Sequence, residues 1–195
     1  MSWQSWRTVD AVTSIGTTVA TGVMAYKVAT LPYGKLVAVE QKGNLYLMKE
    51  DIKFARDRYW VYVGQSPITP PLEREMAVDA FERMTEGKPP RGFFQEGRSY
   101  LGVLVKDIPL DVAIALRIPR RGVYVDYVFK DSPAWKAGIR KGDIITKVDG
   151  YKIEGYEELI EFSKSKEIGE EVEMEIVDTS GWRILTCILG EYRED

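Results

Sequence analysis

Apolar positions along the C-terminal half of the chain recur with two periods. Val172, Met174 and Ile176 alternate with Glu171, Glu173 and Glu175, the period of a strand with one buried face. Over 156–166, Leu159, Ile160 and Phe162, with Ile168 beyond, fall among Glu and Lys at the spacing of an amphipathic helix. Residues 122–129 are β-branched and aromatic and predict a buried strand. Short strands follow over 144–148 and 151–153, and a last one over 182–189 after the Thr179-Ser180-Gly181 turn.

The turns between these runs have specific chemistry. Ser132 suits an N-cap, Pro133 the first helical position and Gly138 the left-handed position after one turn of helix. Asp149-Gly150 is the dipeptide of a tight hairpin. Tyr100-Leu101-Gly102-Val103 starts a strand after a turn, and Gly102 lets the backbone offer successive amides to an anion. The strand over 103–106 then presents an edge to which an extended peptide can add.

Tyr100-Leu101-Gly102-Val103, Gly122-Val123, Asp131-Ser132-Pro133-Ala134, Ala137-Gly138, Gly142-Asp143-Ile144-Ile145 and Asp149-Gly150 together resemble the PDZ domains of bacterial HtrA-type envelope proteases. The resemblance covers about half of the chain and is specific because several spaced elements agree at once. It implies that Leu101, Gly102 and Val103 hold the C-terminal carboxylate of a peptide. It further implies a groove between one strand and one helix, with Tyr100, Leu104, Val105, Leu159, Ile160, Phe162 and Ser163 completing the peptide site. A bacterial cell-envelope location follows from the same resemblance. Leu159 and Phe162 are also open to a purely core role, since an apolar helical stripe usually is core.

The chain has 195 residues and no histidine. That excludes Ser-His-Asp and Cys-His nucleophile pairs and His-Glu-x-x-His zinc sites. Neither a nucleophile-elbow motif nor a phosphate-binding glycine loop occurs. Ser163, Lys164, Ser165 and Lys166 are adjacent, and neighbours at i,i+1 do not face each other on a helix. The expectation is a chain with no catalytic residues, no cofactor and no metal. A net charge of −3 supplies no basic footprint for nucleic acid. Cys187 is the single cysteine, in an apolar run where it acts as a small hydrophobe.

The N-terminal half is less legible. Residues 11–26 are uncharged, with Val12, Ile15, Val19 and Val23 on one side and Gly16, Ala20 and Gly22 among threonines. They are a candidate membrane helix, extended over 9–31 to approach the roughly 20 residues a span needs, with Trp3 and Trp6 as interfacial anchors. Strands are the alternative, because β-branched residues dominate. Lys27, Lys35 and Lys42 favour a cytoplasmic body and the family resemblance favours the outer face, so the side stays open. Strand patterns follow over 36–40, 45–48 and 59–63, the first two joined through Lys42-Gly43-Asn44, and 51–57 suits a helical turn. Ser66-Pro67-Ile68-Thr69-Pro70-Pro71 reads as a stiff connector. A helix over 72–86 places Leu72, Met76, Ala77, Ala80, Phe81 and Met84 on one face. Tyr59, Trp60 and Tyr62 read as strand core or as a recognition patch.

The expected fold is α+β: a candidate membrane anchor over 1–33, a small α+β region over 34–90, a linker over 91–97, and over 98–195 a PDZ-like partly open β-barrel with two helices. The expected function is a non-catalytic, membrane-attached adaptor that binds C-terminal tails or exposed peptides of partner proteins. The alternatives are a structural subunit of a membrane protein complex and the regulatory arm of a separately encoded protease.

Overall fold

The computed structural model of the chain describes residues 18–20, 23–25, 35–51, 58–64, 66–69 and 71–194. The first elements are two short strands, β1 (Thr18–Ala20) and β2 (Val23–Ala25), paired antiparallel with Ala20 opposite Val23. At these positions the membrane-helix expectation is corrected, because Thr18, Val19 and Val23 are β-branched and the chain is extended. Among the described residues no helix is long and apolar enough to cross a membrane. The rest of 9–31 lies outside the described residues.

The chain forms two compact units that join in the sequence at Pro90 and Arg91, and Thr18–Tyr26 belongs to the second. In the first unit, β3 (Lys35–Lys42), β4 (Leu45–Asp51), β5 (Arg58–Val63) and β6 (Ser66–Pro67) form an antiparallel sheet in chain order. Gly43-Asn44 makes the first hairpin, with Gly43 at φ 61°. Asp51 ends a strand and does not start a helical turn; 52–57 lie outside the described residues. The supposed connector is in part an edge strand: Pro67 lies opposite Tyr62, where a missing N–H costs the ladder nothing. Thr69 Oγ1 then accepts a bond from the Val61 N–H at 3.0 Å.

Helix α1 (Arg74–Thr85) packs on β4 and β5 through Ala77, Ala80, Phe81 and Met84. Met76, expected on that stripe, is 61% exposed because it lies about a quarter-turn round the helix from the stripe's centre. Tyr59, Trp60 and Tyr62 are buried, so the aromatic row is core. Burial, and secondarily the charge of Glu50, pushes the Tyr62 hydroxyl up to about 12.

The second unit adds β7 (Ser99–Tyr100), β8 (Val103–Asp107), α2 (Leu110–Leu116), β9 (Val123–Val128), α3 (Pro133–Ala137), β10 (Ile144–Val148), β11 (Tyr151–Lys152), α4 (Tyr156–Ser165), β12 (Glu171–Asp178), β13 (Gly181–Ile188) and β14 (Gly190–Glu191). The main sheet runs β1-β2-β8-β9-β10-β12-β13, with β11 on β10, and β14 pairs with β7. Among the described residues no barrel closes: β1 and β13 are the two ends of the sheet, β2 lies on the outer edge of β8, and β14 pairs with β7. Three helices are present where two were expected; α2 occupies a stretch to which the sequence pattern assigned nothing.

Local chemistry explains the loops. Ser132 Oγ accepts from the Trp135 N–H at 3.2 Å, and Gly138 ends α3 at φ 91°, as capping predicts. Asp149 and Gly150 take φ 48° and 78°, the positive angles of the tight hairpin. Leu101, Val103, Val105, Val123, Val125, Ile145, Leu159, Ile160, Val172, Met174, Ile176 and Cys187 share one core. Burial pushes the Cys187 thiol up to about 11.

Candidate functional site: the Gly102 loop and the β8–α4 groove

The loop before β8 is held from behind. The Ala134 N–H donates to the Leu101 carbonyl at 2.9 Å, while the Phe129 N–H at 3.0 Å and Ser132 Oγ at 3.3 Å both donate to the Gly102 carbonyl. A trans peptide points its C=O and the next N–H in opposite directions, and the described chain has no cis bond. The amides of Gly102 and Val103 therefore both turn away from α3 and β9. Two successive amides aimed one way can cradle an anion, although that of Val103 faces the edge on which β2 pairs, with Val23 in register. Gly102 makes this possible at φ 82°. A Cβ there would collide with Ser132 and lie 2.9 Å from Tyr100 Cζ.

Behind the loop is an aromatic block. The Phe94 ring meets Tyr100, Phe129 and Tyr192 at centroid distances of 4.9, 5.6 and 5.4 Å, all edge-on, the favoured geometry for aromatic pairs. Burial, and then the neighbouring Tyr192 and Tyr127, raises the Tyr100 hydroxyl far above its ordinary value, so it stays neutral. The ends of the unit clasp here: the Gly97 N–H donates to the Tyr192 carbonyl at 2.9 Å and the Tyr192 N–H to the Arg98 carbonyl at 3.1 Å.

A small apolar recess opens beside the loop and is lined by Ser99, Tyr100, Leu101, Leu159, Phe162, Ser163, Val172, Met174 and Leu189. Of the residues predicted for the site, Tyr100, Leu101, Leu159, Phe162 and Ser163 meet in this recess. Val103, Val105 and Ile160 are buried in the adjoining core. Leu104 is also fully buried, and Gly102 contributes backbone alone. The sequence reading missed Ser99, Val172, Met174 and Leu189 as lining. The alternation of Val172 and Met174 marks a buried face but not the cavity that the face borders.

Helix α4 is fixed at its C-terminal half. Ser99 Oγ donates to the Ser163 carbonyl at 3.1 Å, and Ser163 Oγ to the Ile160 carbonyl at 2.9 Å. Lys166 Nζ lies 2.8 Å from Asp149 and 2.6 Å from Glu170, and 4.9 Å from the Phe162 ring centroid. Hydrogen bonds to those two carboxylates hold the ammonium above its usual range. The cation at this end of the helix is thus already engaged by carboxylates.

An amide concavity, an adjacent strand and a facing helix over an apolar recess define a PDZ-type recognition module. The PDZ domain family (PDZ_2) matches residues 99–177, and this part of the chain is a PDZ domain related to those of HtrA/DegP-type proteases. The chain is 28% identical over 126 residues to the "Probable periplasmic serine endoprotease DegP-like" of Ectopseudomonas mendocina (strain ymp), covering 64% of this chain and 25% of that one. It is 35% identical over 85 residues to the "Serine protease Do-like HtrA" of Lactobacillus helveticus, covering 40% and 21%. Among solved structures, the HtrA3 PDZ domain bound to the phage-derived ligand FGRWV matches with TM-score 0.42 at 23% identity, covering 47% of this chain and 85% of that one. The chain spans about a quarter or less of the curated relatives named here.

Proposed function

We propose that this chain is a non-catalytic recognition protein of the bacterial cell envelope, binding extended C-terminal tails of partner proteins between β8 and α4. One observation carries the reading: the outward-turned amides of Gly102 and Val103 lie beside an apolar recess bounded by Leu101, Leu159 and Phe162. A terminal carboxylate caps the amides and the last apolar side chain fills the recess. Charge-assisted bonds contribute about 1.5–3 kcal/mol each, which fits affinities in the roughly micromolar range typical of adaptors. The absence of histidine from the whole sequence supports a non-catalytic role, and the periplasmic relatives support the envelope.

The test is fluorescence polarisation of the chain with fluorescein-labelled Phe-Gly-Arg-Trp-Val, as free acid and as C-terminal amide. Saturable binding of the acid and at least tenfold weaker binding of the amide is expected, since amidation removes the charge the loop would cap. Equal binding of the two would sink carboxylate recognition.

A second reading, a docking block in a fixed assembly, has one observation in its favour. On the edge strand β13, Trp182, Ile184 and Ile188 are 61%, 62% and 63% exposed. Co-purification from cells at fixed stoichiometry, with no binding of free peptide, would favour it.

A further inference from the structure

The edge of β8 that a peptide would use is already occupied. β2 runs parallel to β8 with Val23, Met24 and Ala25 opposite Val103, Leu104 and Val105. β1 pairs with the far side of β2, and both strands approach α4. β1 and β2 therefore lie along the β8–α4 groove, and Val103, whose amide faces outward, has Val23 as its register partner. One strand edge pairs with one strand at a time.

The polarity of this occupant differs from that of a tail. A carboxylate seated at Gly102 and Val103 lies at the start of β8, so a tail reaching it must run antiparallel to β8. β2 runs the other way and continues as chain at both ends, so it brings no carboxylate to the loop. Its parallel ladder is also the slightly weaker kind. The occupant therefore covers the edge, Val103 included, with neutral backbone in place of a carboxylate.

We infer that β1 and β2 form an intramolecular plug of the peptide groove, displaced when a C-terminal tail binds; this rests on the peptide-binding reading above. The plug covers an edge that would otherwise pair indiscriminately. It reduces apparent affinity by the fraction of molecules in which the groove is open.

The test compares the full chain with its Met24→Pro variant, which removes the β2 N–H that faces β8. Both are titrated with the labelled Phe-Gly-Arg-Trp-Val acid, and amide exchange at Val103 and Val105 is followed without peptide. The variant is expected to bind about tenfold more tightly or better, with faster exchange at those amides. A Val23→Gly/Met24→Gly/Ala25→Gly variant retains every N–H and should shift in the same direction, by less. Equal affinity of parent and variants, with binding measurable in all, overturns the plug and leaves the peptide site standing. Absence of binding in all of them overturns the peptide site, and the plug with it.

Discussion

Each unit of the molecule packs an amphipathic helix against a sheet, antiparallel in the first and mixed in the second, with different results. In the first, α1 meets β4 and β5 through two alanines, Ala77 and Ala80, flanked by Phe81 and Met84, all buried. Small residues at a contact let the helix approach closely, and its large side chains are used up as core. In the second, α4 presents Leu159, Ile160 and Phe162, with Phe162 only partly buried, and borders a recess. The lesson is that the same pairing becomes a filled interior or a groove according to residue size at the contact and how the helix end is fixed. Ser99, Asp149 and Glu170 hold the far end of α4.

Paired truncations break this comparison most sharply. Phe81→Ala should cost about 3–5 kcal/mol, the usual loss for a fully buried phenylalanine, read by urea unfolding. Phe162→Ala should leave stability nearly unchanged while weakening the labelled peptide at least tenfold. Equal stability losses in the two would mean that α4 is as closed as α1.

Gly102→Ala is next in size. A side chain at φ 82° with Ser132 and Tyr100 in the way should cost about 1–3 kcal/mol in backbone strain alone and should abolish peptide binding by displacing the amides. Retained binding would remove Gly102 from the recognition loop.

The smallest effect concerns Cys187, in the core shared with the groove. With its thiol pushed up to about 11, it should react with a disulfide reagent at pH 8 about a hundredfold more slowly in the folded chain than in urea. The sign for stability follows: as pH rises past the ordinary thiol value, the unfolded chain loses its proton first and folding becomes less favourable. Prompt reaction in the native state would show that this part of the core is open.

Legibility in the sequence followed locality. Ser132-Pro133 with Gly138, and Asp149-Gly150, encode their conformations within a few residues, and both formed as expected. So did the alternation of β12. The placement of β1–β2 was illegible, because β-branched residues announce extended chain but not the edge 80 residues away on which it lies. Ser66-Pro67 looked like punctuation and serves as an edge strand. Helix α2 ends at Arg117, in the left-handed region at φ 54°, with no glycine to mark the stop. In the site, Gly102 was readable from its motif. The carbonyl anchors from Ala134 and Phe129 that orient its amides, and the rings of Phe94 and Tyr192 behind it, are long-range contacts that no spacing encodes.

The clasp at the ends of the second unit has a mechanical consequence. β7 and β14 are antiparallel, with Ser99 opposite Glu191 and Tyr100 opposite Gly190, so Arg98 and Tyr192 flank the same end of this short ladder. Tension applied across Arg98 and Tyr192 would unzip these pairs one after another instead of shearing a ladder loaded all at once. The first parts to yield are Ser99, which grips α4, and Tyr100, which precedes the loop. A pull across this clasp would therefore loosen the borders of the candidate groove before the main sheet gave way.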